Sequence, residues 1–264
     1  MRRSLLALSL LVLGVAGSAH AAMVAKPVQW TDKGVTYKSF LVYDDAVKAK
    51  RPGLVMVPNW FGVNDMAVAK AKEIAGKDYV ILLTDMYGEG IRPKNQEEAG
   101  AAVKPLYGDR AIMRERVSRA LQELKAQEKA APIDPARLAA IGFCFGGSSV
   151  LDLARAGADV AAVVSFHGLL ADDSKLPVHI HAAVLALNGA DDQNVPASQR
   201  EAFEKEMDAA KVDWASTDFG GAVHCFTEKE ATAATGNCRY DDKVAKRAYA
   251  AMRAWLTEAF ARKD

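Results

Sequence analysis

Short, continuous apolar segments alternate with amphipathic segments along most of this chain, and this alternation limits the folds that it can adopt. Residues 53–58 and 79–84 have the length and composition of strands that are buried on both faces of a sheet. Predicted strands cover residues 36–43, 53–58, 79–84, 137–143, 160–166, 182–187 and 212–219, and predicted helices cover residues 65–76, 109–129, 146–156, 196–210 and 241–262. Because strands that alternate with helices form parallel sheets, the pattern predicts an α/β fold with a mostly parallel central sheet and helices on both faces.

The first residues have the pattern of a secretory signal. Arg2 and Arg3 precede an apolar run over residues 5–17, and residues 19–21 (Ala-His-Ala) fit the small-residue rule for cleavage. We therefore expect residues 1–21 to be a signal peptide. Residues 22–264 are then expected to form a single domain that is exported to the periplasm or secreted. The alternative is an uncleaved membrane anchor, although the apolar run is short for a membrane span.

Composition argues against several classes of partner. The net charge is +1 and becomes −1 if Arg2 and Arg3 leave with the signal, so charge gives no reason to expect binding to nucleic acid or to a membrane surface. His179 and His181 could form a metal pair, but no third ligand accompanies them at a recognisable spacing. We expect a monomer that acts on a small molecule without a cofactor or a metal.

Residues 142–147 read Gly-Phe-Cys-Phe-Gly-Gly and lie between a predicted strand and a predicted helix. This is the pattern of a nucleophile elbow, G-x-S-x-G, with Cys144 in place of serine. Glycine at positions 142 and 146 avoids side-chain clashes where a strand turns directly into a helix. The helix N-terminus would favour the thiolate of Cys144, so the motif predicts a nucleophile. The alternative is a buried structural cysteine beside a glycine turn.

A candidate acid and a candidate base follow the nucleophile along the chain. Asp191 and Asp192 come after one predicted strand and His224 after another. Nucleophile, aspartate and histidine thus stand in the order used by α/β-hydrolases. His224 would accept the thiol proton and Asp192 would orient its ring, whereas the alternative role for the two aspartates is to stabilise a turn. His167 also follows a predicted strand, but its place before the aspartates is wrong for the base.

The chain has three cysteines, so at least one is left over if two of them pair. Export would take the chain out of the reducing cytosol, and Cys225 and Cys238 could then form a disulfide that leaves Cys144 free. The alternative, that all three thiols are free and buried, stays open.

With these residues in view, the chain resembles the dienelactone hydrolase family over nearly the whole length that follows the predicted signal. The resemblance rests on the motif at 142–147 and on Pro-Asn-Trp-Phe-Gly-Val-Asn at 58–64, Thr-Asp-Met-Tyr at 84–87, Asn-Gly-Ala-Asp-Asp at 188–192 and Gly-Ala-Val-His-Cys-Phe at 221–226. It implies an α/β-hydrolase fold and a triad of Cys144, Asp192 and His224. It also implies an oxyanion hole formed by the backbone N–H groups of Trp60 and Phe145.

Three positions depart from the lactone-cleaving members of that family. Asn59 stands where they have a glutamate that contacts the resting thiol, and an asparagine cannot take up a proton. Glu89 and Glu228 stand where they have arginines that hold the substrate carboxylate, so these positions would repel an anion. Arg92 is a candidate replacement for one of the two arginines.

Aromatic side chains near the motifs predict an apolar cleft. Trp60, Phe61, Tyr87 and Phe145 would suit an uncharged substrate, although each could instead belong to the core. We therefore predict hydrolysis of a small ester or lactone through an acyl-enzyme on Cys144. The alternatives are acyl transfer or thioester hydrolysis on the same residues, and a binding protein without activity on a hydrolase scaffold.

Overall fold

A computed structural model describes residues 23–172 and 174–262, so the predicted signal peptide lies outside the described residues. Eight strands form one sheet in the order β1-β2-β4-β3-β5-β6-β7-β8. The strands are β1 Met23–Asp32, β2 Val35–Asp44, β3 Arg51–Val57, β4 Val80–Leu83, β5 Ile133–Phe143, β6 Ala162–Phe166, β7 Ala183–Gly189 and β8 Trp214–Phe219. The helices are α1 Asp65–Ala75, α2 Gln96–Gly108, α3 Arg110–Ala126, α4 Phe145–Arg155, α5 Ala197–Ala210 and α6 Asp242–Ala261, and a short 3-10 helix covers Gln127–Lys129.

The sheet is antiparallel at one edge and parallel elsewhere. Strands β1 and β2 form a hairpin whose two-residue turn places Lys33 and Gly34 at positive φ, which matches the twist of the two strands. Strand β2 pairs antiparallel with β4, and every pair from β4 through β3 to β8 is parallel. The predicted mostly parallel sheet with helices on both faces is confirmed.

Apolar side chains fill a core on each face of the sheet. Helices α1 and α6 pack on one face, where Leu54 and Met56 point towards them. Helices α2 to α5 cover the other face, where Val55 and Val57 point. Because both faces of the central strands are covered, these strands are continuously apolar, which is why their positions could be predicted from sequence.

Two elements were not predicted, β1 and α2. Strand β1 lies at the edge of the sheet, and most of its side chains are exposed or half-buried, so its sequence lacks a continuous apolar run. Helix α2 contains Gly100 and Pro105, both of which disfavour a helix interior. Strand β5 also begins four residues earlier than predicted, at Ile133.

The parallel strands bring the chemically interesting residues to one edge of the sheet. Cys144 follows β5, Asp192 follows β7 and His224 follows β8. Because these strands are parallel, their carboxyl ends face the same side. Among the described residues, no helix combines the length and the apolar character needed to cross a membrane.

Candidate active site

The turn from β5 into α4 holds Cys144 in a backbone conformation that side chains rarely adopt, with φ 54° and ψ −117°. A Cβ atom at position 142 would lie 2.0 Å from the carbonyl oxygen of Gly146, and one at position 146 would lie 2.1 Å from the carbonyl oxygen of Val57. Neither oxygen can move without displacing backbone, so both positions require glycine. The tight turn therefore places the thiol of Cys144 at the N-terminus of α4.

The structure brings Cys144, His224 and Asp192 together. Nε2 of His224 lies 3.1 Å from Sγ of Cys144, and Nδ1 of His224 lies 2.7 Å from Oδ2 of Asp192. The Asp192 side chain is fully buried and that of His224 is 10% exposed. The loops that follow three separate strands therefore form one chain of hydrogen bonds, which is buried at Asp192 and open to the cleft at Cys144 and His224.

Electrostatics favour a proton on His224. Burial lowers the pKa of its imidazole, but the hydrogen bonds and negative charges of Asp192 and Cys144 outweigh burial and raise the pKa to about 10. Burial likewise disfavours ionised Asp192, but hydrogen bonds from His224, from the backbone of Asn194 and from Asn237 keep its pKa below the ordinary value. The arrangement can thus hold a proton on the imidazole between a carboxylate and a sulfur.

The loop after β3 lies next to the thiol and is held by side-chain hydrogen bonds. Asn59 accepts a hydrogen bond from the backbone N–H of Phe61 at 3.0 Å, and the hydroxyl of Tyr87 donates to the carbonyl of Trp60 at 2.8 Å. Phe145 is the first residue of α4, where a backbone N–H has no partner within the helix. The two residues expected to provide an oxyanion hole thus belong to a braced loop and to a helix N-terminus.

Cys144 and His224 open onto a cavity of about 510 Å³. The remaining lining residues are neutral and come mostly from loops: Trp60, Gln96, Tyr107, Leu169, Asn194, Cys225, Asn237 and Cys238. A second cavity of about 570 Å³ shares Tyr107 and Leu169 with it. Apart from Trp60 and the two cysteines, these wall residues were not predicted, because they lie in helix ends and loops outside the motifs.

The predicted aromatic cleft needs correction. Tyr87 and Phe145 are 4% and 2% exposed and pack on each other with ring centroids 5.7 Å apart, so they lie in the core behind the cleft. Phe61 contacts Trp60 edge-on but does not line the cavity. Trp60 and Tyr107 are the aromatic residues of the cavity wall.

The two charged residues Glu89 and Arg92 do not line the cavity either. Glu89 is exposed and forms an ion pair with Lys38. Arg92 donates to Asp85 at 3.0 Å and to the backbone of Gly88 at 3.1 Å. The structure therefore does not bring Glu89 or Arg92 to the cavity of Cys144, because both are engaged in contacts around the loop after β4.

Glu228 is buried rather than facing a substrate. Its carboxylate lies 2.5 Å from Nζ of Lys70, accepts from Nδ2 of Asn59 at 2.6 Å and from the hydroxyl of Thr227 at 3.1 Å. Burial alone would raise the pKa of Glu228, but the charge of Lys70 and these hydrogen bonds hold it below the ordinary value. Glu228 therefore forms an internal ion pair with Lys70 instead of repelling an anionic substrate, and it also holds the side chain of Asn59.

His167 lies beside Cys144, where it supports the site and does not act as the base. It is fully buried, its Nδ1 accepts from the backbone N–H of Cys144 at 3.2 Å, and its Nε2 lies 2.8 Å from the hydroxyl of Thr227. Burial, together with the nearby charges of His224 and Lys70, lowers its pKa well below the ordinary value. A neutral His167 ring therefore connects the backbone at the thiol to the Glu228 network.

Cys225 and Cys238 are joined by a disulfide, and Cys144 is the free cysteine. Cys225 is 9% exposed, while Cys238 is exposed. Both contribute to the cavity wall. The cleft therefore contains a free sulfur and a bonded pair of sulfurs.

Comparisons with known proteins cover most of the chain. A model of the dienelactone hydrolase family matches residues 38–260. The crystal structure of the dienelactone hydrolase-like promiscuous phosphotriesterase P91 from metagenomic libraries is 35% identical, with a TM-score of 0.82 over 90% of this chain and 99% of that chain. The α/β-hydrolase fold implied by the sequence is confirmed by such structural matches.

Two curated relatives extend the comparison. An uncharacterised protein from Caenorhabditis elegans is 34% identical over 142 residues, which are 52% of this chain and 90% of the relative. A protein from Bradyrhizobium sp, described as "Probable 2-oxo-3-(5-oxofuran-2-ylidene)propanoate lactonase", is 28% identical over 215 residues, which are 76% of this chain and 84% of the relative.

Proposed function

Since this chain belongs to the dienelactone hydrolase family and is a carboxylic ester or lactone hydrolase, we propose that it cleaves a small, uncharged ester or lactone through an acyl-enzyme on Cys144. The observation that carries this proposal is the continuous hydrogen-bond chain from Sγ of Cys144 through His224 to Asp192, with contacts of 3.1 and 2.7 Å. A nucleophile, a base and an orienting carboxylate in this geometry are the components of covalent acyl transfer.

In the first half of the reaction, Sγ of Cys144 attacks the substrate carbonyl carbon while His224 holds the thiol proton. The backbone N–H groups of Trp60 and Phe145 stabilise the negative oxygen of the tetrahedral intermediate. The bond between the carbonyl carbon and the alcohol oxygen then breaks, and His224 gives its proton to the leaving oxygen. The product is a thioester on Cys144.

In the second half, His224 takes a proton from water and the resulting hydroxide attacks the thioester carbonyl. The carbon–sulfur bond breaks, the acid leaves, and the proton returns to the sulfur of Cys144. Asp192 keeps Nε2 of His224 directed at the sulfur throughout. Capture of the thioester by another nucleophile would give acyl transfer on the same residues.

The cavity wall supports an uncharged substrate. Apart from His224, its lining residues carry no charged side chain, and both glutamates once expected to face the substrate are engaged elsewhere. The adjoining cavity of about 570 Å³ provides space for a larger acyl or alcohol group beyond Tyr107 and Leu169. Apart from the His224 imidazolium, a substrate carboxylate would find no cation in this wall.

Variants of the reacting residues test the proposal. Cys144→Ala and His224→Ala should each lower the hydrolysis of a short p-nitrophenyl ester by at least about 10³-fold, since residues of a triad act as a unit. His179→Ala is the matched control, because His179 is exposed and does not line the cavity. Mass spectrometry of the quenched enzyme should find the acyl group on Cys144. Equal turnover in all four proteins would reject the proposal.

A second candidate activity is the hydrolysis of neutral phosphate triesters. Similarity to a structure described as a promiscuous phosphotriesterase, at 35% identity, and the uncharged cavity wall favour it. Paraoxon turnover that disappears in Cys144→Ala would support this activity, and turnover at the buffer rate would exclude it.

Export of the mature chain is also part of the proposal. It is supported by the signal-like residues 1–21 and by the disulfide between Cys225 and Cys238, a bond typical of oxidising compartments. N-terminal sequencing of periplasmic or secreted protein should begin at residue 22 or 23, and protein that retains residue 1 in the cytosol would contradict export.

A further inference from the structure

The carboxylate of Asp192 has a hydrogen-bond partner that the proposed mechanism does not use. While Oδ2 of Asp192 contacts His224, its Oδ1 accepts from Nδ2 of Asn237 at 3.1 Å. The side-chain carbonyl of Asn237 accepts from the backbone N–H of Gln193 at 2.9 Å. Asn237 therefore binds both the side chain of Asp192 and the backbone of the next residue, which fixes the carboxylate relative to its own turn.

Asn237 belongs to the disulfide loop, residues 225–238, which is closed by the bond between Cys225 and Cys238. Cys238 pairs with His224 in an isolated parallel bridge, and the N–H of Arg239 donates to the carbonyl of His224 at 3.0 Å. Cys238, which is adjacent to Asn237, is thus bonded covalently to Cys225, which is adjacent to His224. The loop supports the base and the acid together.

The tip of the disulfide loop has little other support. Residues 232–236 are exposed, so burial contributes little to their order, and fixing an exposed backbone costs conformational entropy. A covalent closure reduces this cost because it restricts the conformations that the loop can adopt. Without the bond, Asn237 would lose the constraint that holds it against Asp192.

We infer that Asn237 is a positioning residue that orients Asp192, and that the Cys225–Cys238 disulfide sets turnover by holding Asn237 in place. The inference rests on the proposed function, because it assumes that Asp192 and His224 act on Cys144. A dithiol reductant would supply two electrons and two protons, converting the disulfide into two thiols and becoming a disulfide itself. Cys238 is exposed, so a reductant can reach it.

Four proteins test the inference against the parent enzyme: Asn237→Ala, Cys225→Ala/Cys238→Ala, the triple variant, and Thr235→Ala as a control at an exposed position of the same loop. Circular dichroism and thermal unfolding select conditions in which all are folded. Steady-state kinetics on a p-nitrophenyl ester separate kcat from KM. The rate of Cys144 alkylation by iodoacetamide gives a second measure that needs no turnover, because Cys144 is the only free thiol in each protein.

Loss of the hydrogen bond to a buried carboxylate should lower kcat about tenfold in Asn237→Ala, with KM changed by less than about twofold. The double cysteine variant should show a similar loss, and the triple variant should lose no more than the double. Alkylation should slow in the same three proteins, and Thr235→Ala should match the parent in both assays. Reduction of the parent enzyme should lower kcat to the value of the double variant while leaving the kcat of Asn237→Ala unchanged.

If the loss of kcat in the triple variant were the product of the losses in Asn237→Ala and in the double cysteine variant, the inference would be overturned, because the disulfide and Asn237 would then act independently. An Asn237→Ala variant within twofold of the parent in kcat would overturn it as well. Failure of the proposed function has a different signature, since Cys144→Ala would then hydrolyse the ester normally. In that case the alkylation rates still decide whether Asn237 affects the environment of Cys144.

Discussion

Replacing Lys70 by methionine should destabilise the fold by leaving Glu228 as a buried charge without a counterion. The two side chains are 13% and 5% exposed and their charged atoms lie 2.5 Å apart. Removal of one partner from a buried ion pair costs about 3–5 kcal/mol. Protonation limits this loss of unfolding free energy, because Glu228 can take up a proton when it loses its counterion.

The cost of that protonation follows from the ordinary pKa of glutamic acid, 4.5. Protonating such a group at pH 7 costs about 3.4 kcal/mol, and at pH 5 it costs less than about 1 kcal/mol. We therefore expect Lys70→Met to lose about 3 kcal/mol of unfolding free energy at pH 7 and much less at pH 5. In Lys70→Met the pKa of Glu228 in the folded state is raised, so the loss of unfolding free energy becomes smaller as pH falls.

Urea unfolding followed by circular dichroism at the two pH values measures this effect. Lys70→Met/Glu228→Gln should recover most of the loss because it removes both charges. Lys229→Met is the control, since Lys229 forms an exposed pair with Glu73 that is expected to contribute at most about 1 kcal/mol. A loss below about 1 kcal/mol for Lys70→Met at pH 7, or an equal loss at both pH values, would refute the reasoning.

Three further predictions concern the elbow, the base and the surface. Gly142→Ala should cost at least about 4 kcal/mol or prevent folding, because its Cβ would overlap the carbonyl oxygen of Gly146, whereas Gly100→Ala has open space and should be tolerated in the same urea assay. The pKa of His224 is raised to about 10, so its protonation stabilises the fold fully below pH 6.5, and this stabilisation is lost as pH rises towards 10. His224→Gln should therefore reduce the decline of unfolding free energy with pH over this range by up to about 1.4 kcal/mol per pH unit. An unchanged pH dependence of the unfolding free energy would contradict this prediction. Glu89→Gln should leave kcat/KM within about twofold for both neutral and carboxylate-bearing lactones, and a selective gain for the anion would return Glu89 to the substrate site.

The central strands and the reacting residues could be predicted because their sequence signals are local. A strand covered on both faces is apolar along its central residues, as in residues 54–57 of β3 and in β4, so its place in the core can be predicted from the sequence. The elbow requires glycine at fixed spacing around Cys144, and parallel strands bring the ends of β5, β7 and β8 to one edge. The sequence therefore located the three side chains that the structure brings within hydrogen-bond distance.

The supporting residues could not be predicted because their contacts join distant parts of the chain. Lys70 and Glu228 are separated by 158 positions, and Asn237 and Asp192 by 45. The family resemblance suggested that Glu228 is an altered substrate contact, and no sequence pattern indicated that Lys70 neutralises its charge. His167 was dismissed as the base for its position in the chain, and its contact with the backbone of Cys144 depends on a ring orientation that only the packed fold fixes.

The atoms that exclude side chains from positions 142 and 146 are carbonyl oxygens, and every amino acid carries one. No substitution at a neighbouring site can remove those atoms, so a library that randomises the elbow will return few folded members whatever else it contains. The wall formed by Gln96, Tyr107, Leu169 and Asn194 is under no such constraint. Laboratory selection for new substrates should therefore diversify that wall and leave the two glycines untouched.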